Sequence, residues 1–152
     1  MKSSHILFTL LILGGFTFVQ CKSKKNATTK NDDSKKISEV IVHETYNYPK
    51  DTPAFEITSA EIKADVLTLV VSYSGGCQQH TFTLNGTKNY MKSMPPKLGL
   101  FLEHNSNGDS CRELKTETLQ FDLKKVRYPG TEKDYTVILT IDKFDGQLEY
   151  KY

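Results

Sequence analysis

The stretch Val66–Tyr73, VLTLVVSY, decides how the rest of the chain is read. Leu67, Leu69, Val71 and Tyr73 fall on one side of an extended backbone and Thr68 and Ser72 on the other, the period of two that marks a half-buried strand. Working outward, the same alternation returns in His80, Phe82 and Leu84, in Leu98, Leu100 and Leu102, and in Leu119, Phe121 and Leu123. It returns again in Val137, Leu139 and Ile141, and in Leu148 and Tyr150. Between these runs sit turn formers: Asn85-Gly86, Met94-Pro95-Pro96, the NSNGD of 105–109, Pro129-Gly130 and Asp145-Gly146. The last pair, between TIDKF and QLEYKY, predicts a tight hairpin.

No window from residue 38 onward sustains a helical apolar stripe; ELKTETLQFDLKK at 113–125 comes nearest, and its alternation favours a strand. About seven short strands with spaced turns predict an all-β fold, an antiparallel β-sandwich of loosely immunoglobulin-like form, with a small β-barrel as the alternative.

The first twenty residues follow a different rule. A lysine precedes an uncharged apolar run, Ile6–Val19, that stops at Cys21. This is the layout of a secretory signal peptide, and about 14 residues fall short of the roughly 20 that a membrane-spanning helix needs. A cysteine directly after an apolar segment and before polar residues resembles the lipobox of bacterial lipoprotein precursors. Phe18 and Gln20 stand where that family favours Leu and a small residue, the relaxed form of bacteroidete-type lipoproteins, which the Lys- and Asn-rich composition also fits. The resemblance implies cleavage before Cys21, acylation of its thiol, and a place in the cell envelope, periplasmic or surface-exposed. Two or three acyl chains give the stable attachment that one does not.

Residues 22–36, KSKKNATTKNDDSKK, carry six lysines, two aspartates and no large apolar side chain, and read as a solvated tether. The expected organisation is therefore a signal peptide over 1–20, a lipid-anchored tether over 21–37 and one β-sandwich domain over 38–152. Net charge is +2 and the lysines are interleaved with acids, which argues against a nucleic-acid partner.

Chemistry concentrates in SYSGGCQQHTFTL at 72–84. His80 shares a face with Phe82 and Leu84, and His104 with Leu98, Leu100 and Leu102, so both histidines are expected on the core side. Antiparallel pairing of their strands brings them to one end of the sheet, near Cys77 and Cys111. Gly75 and Gly76 predict a bulge or a positive φ that re-aims Cys77.

Three readings compete. With Cys21 taken by lipid in an exported protein, as the lipoprotein resemblance implies, Cys77 and Cys111 remain as an even pair for a disulfide. Alternatively Cys77, His80, His104 and Cys111 form a tetrahedral zinc or copper(I) site, although Cys-x2-His followed by His-x6-Cys is not a strong finger spacing. A hybrid keeps the disulfide and leaves His80 with His104 to bind a metal ion or an anion. Asn105, Asn107 and Asp109 alternate as calcium-loop residues do but lack the distal acid, and read as a polar turn.

Hydrolase motifs are missing from the sequence, and a cysteine nucleophile at Cys77 requires a free thiol. The GGCxxH stretch with a later H…GDxC resembles small uncharacterised bacteroidete-type lipoproteins, which supplies no activity. The expected function is a non-enzymatic binding or structural module without a cofactor, anchored to the membrane and engaging an unknown protein or small ligand. A metal-binding envelope protein is the alternative, and a hydrolase or inhibitor working through the Pro-Pro segment near Met94 is a third option.

Overall fold

The computed structural model describes residues 36–49, 51–131 and 134–152. The signal peptide, Cys21 and nearly all of the tether lie outside the described residues. The described chain forms nine strands: β1 Ile37–Glu39, β2 Ile41–His43, β3 Phe55–Lys63, β4 Val66–Gly75, β5 Thr81–Thr87, β6 Lys97–Asn105, β7 Glu113–Asp122, β8 Thr136–Ile141 and β9 Gln147–Lys151. One sheet runs β1-β7-β4-β3 and the other β2-β5-β6-β8-β9, packed as a β-sandwich rather than closed into a barrel.

The period-two runs predict the core well. Leu67, Leu69, Val71 and Phe121 of the first sheet bury against Leu84, Leu98, Leu100, Leu102, Val137, Leu139, Ile141 and Tyr150 of the second. Each such side chain contributes about 1.5–3 kcal/mol through removal from water. Register follows the pattern, with Leu67 opposite Phe121 and Leu69 opposite Leu119.

Both sheets are mixed. β3–β4, β4–β7, β5–β6 and β8–β9 are antiparallel, while β1–β7, β2–β5 and β6–β8 are parallel. The two short opening strands explain much of this. The chain lies on β7 from Ile37 to Glu39, crosses to the other sheet at the fully buried Val40, and lies on β5 from Ile41 to His43.

Asn85-Gly86 is not a turn. Both residues lie inside β5 and are buried. Glycine is there because β6 approaches closely: a Cβ at residue 86 would stand 3.0 Å from Leu100 Cδ2. The Asp145-Gly146 hairpin does form, but its connection runs from Asp142 to Gly146, with Lys143 at φ 65°.

β4→β5 and β6→β7 are the connections that cross between the sheets at one end, and they carry Cys77 and Cys111 respectively.

Candidate functional site

The two crossing loops are held by one covalent bond and one carboxylate. Cys77 and Cys111 form a disulfide with Cα atoms 5.8 Å apart. Between them the Asp109 carboxylate is fully covered. Its Oδ2 accepts the backbone N–H groups of Cys77 and Gln78, each at 2.9 Å, and its Oδ1 accepts that of Cys111 at 2.8 Å. These backbone donors, with His80, hold the carboxyl far below the usual carboxylate range.

His80 and His104 meet beside it. Phe82 and His104 are register partners across β5 and β6, and His80 stands just before β5, so both rings enter the same end of the core. His104 is 3% exposed and His80 7%. His104 Nδ1 lies 3.1 Å from the Pro53 carbonyl, His104 Nε2 lies 2.8 Å from His80 Nδ1, and His80 Nε2 lies 3.2 Å from Asp109 Oδ2.

A carbonyl and a carboxylate can only accept, which orders the protons. His104 donates from Nδ1 to Pro53, His80 donates from Nε2 to Asp109, and one further proton fills the bond between His104 Nε2 and His80 Nδ1. Burial, the neighbouring His80 and Lys143 push His104 below its ordinary value, against the pull of Pro53, which favours its neutral ring.

Aromatic rings seal the pair. Tyr73 stacks on His80 at 4.5 Å between centroids, Phe82 stacks on His104 at 4.4 Å, and Phe55 meets His104 edge-on at 5.7 Å. Gly75 gives the room: a Cβ there would lie 2.6 Å from His80 Nε2. Gly76 supplies the positive φ, 120°, that turns the chain toward Cys77.

The four residues singled out by sequence thus converge on one end of the sandwich. The sulfurs are bonded to each other, so thiolate ligation by Cys77 and Cys111 requires the disulfide to be reduced first. Among the described residues, Cys77, Asp109 and Cys111 are grouped closely enough to surround one cation, but their ligand atoms are taken up by the disulfide and by N–H donors. Asn105 serves the turn itself, its Oδ1 accepting the Asn107 N–H at 2.9 Å, while Asn107 Nδ2 donates across to the Gln79 carbonyl of the other loop. In the Pro-Pro segment Met94 is 92% exposed.

Two polar clusters escape sequence reading because their members are far apart in the chain. Asp65 Oδ1 accepts hydrogen bonds from Tyr150 Oη and, at 2.7 Å, from Arg127 Nη2, which lowers the carboxyl; burial first and then Asp65 raise Tyr150, and the hydrogen bonds to Tyr150, at 3.2 Å from Nε, and to Asp65 raise Arg127. On the outer face of the second sheet, Asn85 Oδ1 lies 2.9 Å from His43 Nε2, and Glu103 Oε2 accepts from Asn85 Nδ2 at 3.3 Å and from Tyr46 Oη at 3.0 Å. Burial first, then Glu103, pushes Tyr46 up to about 12. Tyr46 and Tyr48 lay their rings against Phe101, each at 5.7 Å, so the segment after β2 is strapped across that face.

No protein family matches the chain, and neither does any curated protein sequence. Its fold is shared with solved structures. A NigD-like immunity protein from Bacteroides caccae superposes with a TM-score of 0.52 at 15% identity, over 76% of this chain and 59% of that one. A protein of unknown function from Bacteroides vulgatus gives 0.51 at 16% identity, over 78% and 56%. The chain therefore spans less than two thirds of the length of either neighbour, and at these identities the likeness is one of fold.

Proposed function

We propose that the chain is a lipid-anchored envelope protein of bacteroidete type whose β-sandwich is a non-enzymatic binding module. The observation that carries the reading is the saturation of the candidate site: Asp109, His80 and His104 spend their hydrogen bonds on one another and on backbone, beneath Tyr73 and Phe82. Groups sealed and satisfied in this way stabilise two crossing loops; they present neither a nucleophile nor an open base to a substrate. The lipobox-like segment ending at Cys21 supports the anchor, and the Bacteroides caccae neighbour is called an immunity protein, a description compatible with a binding role.

Palmitate labelling of cells expressing the full chain tests the anchor. Label is expected on the wild type and none on Cys21→Ala; label surviving that substitution overturns the lipoprotein reading. Crosslinking within the envelope is expected to join the wild-type domain to a specific partner. Turnover of an ester, peptide or glycan substrate that disappears with His80→Ala would replace the binding reading by a catalytic one.

A further inference from the structure

Resting on the binding-module reading, we propose that the module takes its partner as an added β-strand along the outer edge of β7, with the strand's side chains entering the cleft between the two sheets.

The edges of the sandwich differ in how they are protected. The β3 edge breaks register between Ile57 and Ser59, a bulge of the kind that blunts strand addition. The β9 edge is short and carries Glu149 and Lys151. β7 is charged along this stretch, at Glu113, Lys115 and Glu117, but it is neither short nor bulged: it pairs with β4 without interruption from Glu113 to Asp122. Among the described residues, its other side is paired only at Gln120–Asp122, by β1. The stretch Glu113–Leu119 continues the same line, so a new strand extends an interface that β1 already makes.

Beside that stretch lies a cleft of about 590 Å³, where Thr81 and Phe82 of β5 face Glu117, Leu119 and Phe121 of β7, with Lys36 at the rim. Phe121 is 1% exposed and forms the floor; Leu119 and Phe82 are half-buried. Leu119 and Glu117 are two residues apart and share a face. Glu113 is paired with Lys115 at 3.0 Å, whereas Glu117, among the described residues, meets only the Tyr73 hydroxyl, at 3.1 Å.

The complementary partner segment is extended and protein-derived. It places an apolar side chain over Leu119 and Phe82, and a Lys or Arg two residues away against Glu117. Main-chain bonds to the edge supply affinity and these two side chains supply selection, as in other strand-addition complexes.

The test uses the full isotope-labelled chain in detergent and a short peptide of alternating threonine and valine carrying one lysine and, two positions on, one leucine. Saturable amide shifts confined to Glu113–Leu119 and Thr81–Phe82 are expected. Glu117→Lys is expected to weaken binding about ten-fold or more, equivalent to about 1.4 kcal/mol, and a peptide with glutamate in place of lysine to restore it. Absence of saturation, shifts on other elements, or an unchanged affinity in Glu117→Lys overturns the proposal. Binding that emerges only after deletion of residues 22–35 also overturns it, assigning the cleft to the chain's own N-terminal segment. A peptide-free doubling of mass with the same shifts overturns it in favour of a second copy. A partner crosslinked through another face, without peptide binding, sinks the cleft alone and leaves the binding module standing.

Discussion

His80 Nε2 lies 3.2 Å from Asp109 Oδ2, with both side chains almost wholly covered, and this pair organises the end of the sandwich where two chain crossings meet. The carboxylate faces three backbone N–H groups as well, so its negative charge is matched by donors on every side. Asp109→Asn puts an amide N–H against those donors and takes away the carboxylate that His80 Nε2 faces. The expected result is a lower urea midpoint than for the exposed control Glu149→Gln, with backbone amides of 76–80 and 109–112 exchanging faster by NMR. Equal midpoints for the two variants would remove Asp109 from this role.

Acid is expected to destabilise the fold in two stages. His104 is held below its ordinary value of 6.5, mainly by burial, so its contribution is full above about pH 6.5 and is lost as pH falls through the folded value. Asp109 is held below 3.8, mainly by the Gln78 and Cys111 N–H groups, so its contribution is full above about pH 4 and disappears at still lower pH. Urea midpoints measured from pH 7 down to pH 3 should fall in two steps, one opening below about pH 6.5 and one below about pH 4, and His104→Gln should remove the upper step. A flat wild-type profile between pH 7 and pH 5 contradicts the His104 assignment.

Removing the disulfide tests the staple. Cys77 and Cys111 are 34 residues apart, and closing a loop of that length stabilises by about 3–4 kcal/mol through chain entropy. The double variant Cys77→Ala/Cys111→Ala should lose about that much in urea unfolding. Peptide mapping of chelator-free material, alkylated before reduction, should find the two residues crosslinked. Free thiols that become reactive only after metal is stripped would instead support the zinc or copper reading of Cys77, His80, His104 and Cys111.

Three glycines give an internal comparison. At Gly86 an added methyl group meets Leu100 at 3.0 Å, and overpacking of this kind costs about 1–3 kcal/mol. At Gly75 it strikes His80 at 2.6 Å, so Gly75→Ala should be the more harmful change. At Gly99 the nearest atoms are 3.9 Å away, and Gly99→Ala should stay within about 0.5 kcal/mol of wild type. Thermal or urea unfolding of the three variants checks the order.

Tyr150→Phe keeps a fully buried ring and deletes only the hydroxyl, which donates to Asp65 and accepts from Arg127 Nε at 3.2 Å. A hydrogen bond to a charged group contributes about 1.5–3 kcal/mol, and a loss of that size is expected in equilibrium unfolding. A loss below about 0.5 kcal/mol would show that Arg127 alone satisfies Asp65.

How far the sequence reaches can be judged residue by residue. Leu67, Leu69, Phe121 and Leu139 were legible because burial on one face of a strand writes itself as alternation. Asn85-Gly86 misled because the same dipeptide serves a hairpin turn or a close strand approach, and only the position of Leu100 distinguishes them. The three-residue β1 and β2 are too short to carry a period, and their pairing with β7 and β5 is decided by partners roughly 40 to 80 residues away. The meeting of His80 with His104 follows from strand parity, whereas the part played by Asp109 does not. Its neighbours in sequence describe a polar turn, and its partners, Cys77, Gln78 and His80, belong to another loop.

Val40, buried between two strands that belong to different sheets, also sets how the domain bears load. A pull at Lys36 along the strand axis meets β1 and β2 lying side by side with β7 and β5, so their interstrand bonds are strained together in shear rather than peeled one after another. Val40 acts as a peg that must leave the core before either strand slides. A leash fastened there tugs on both layers of the sandwich at once.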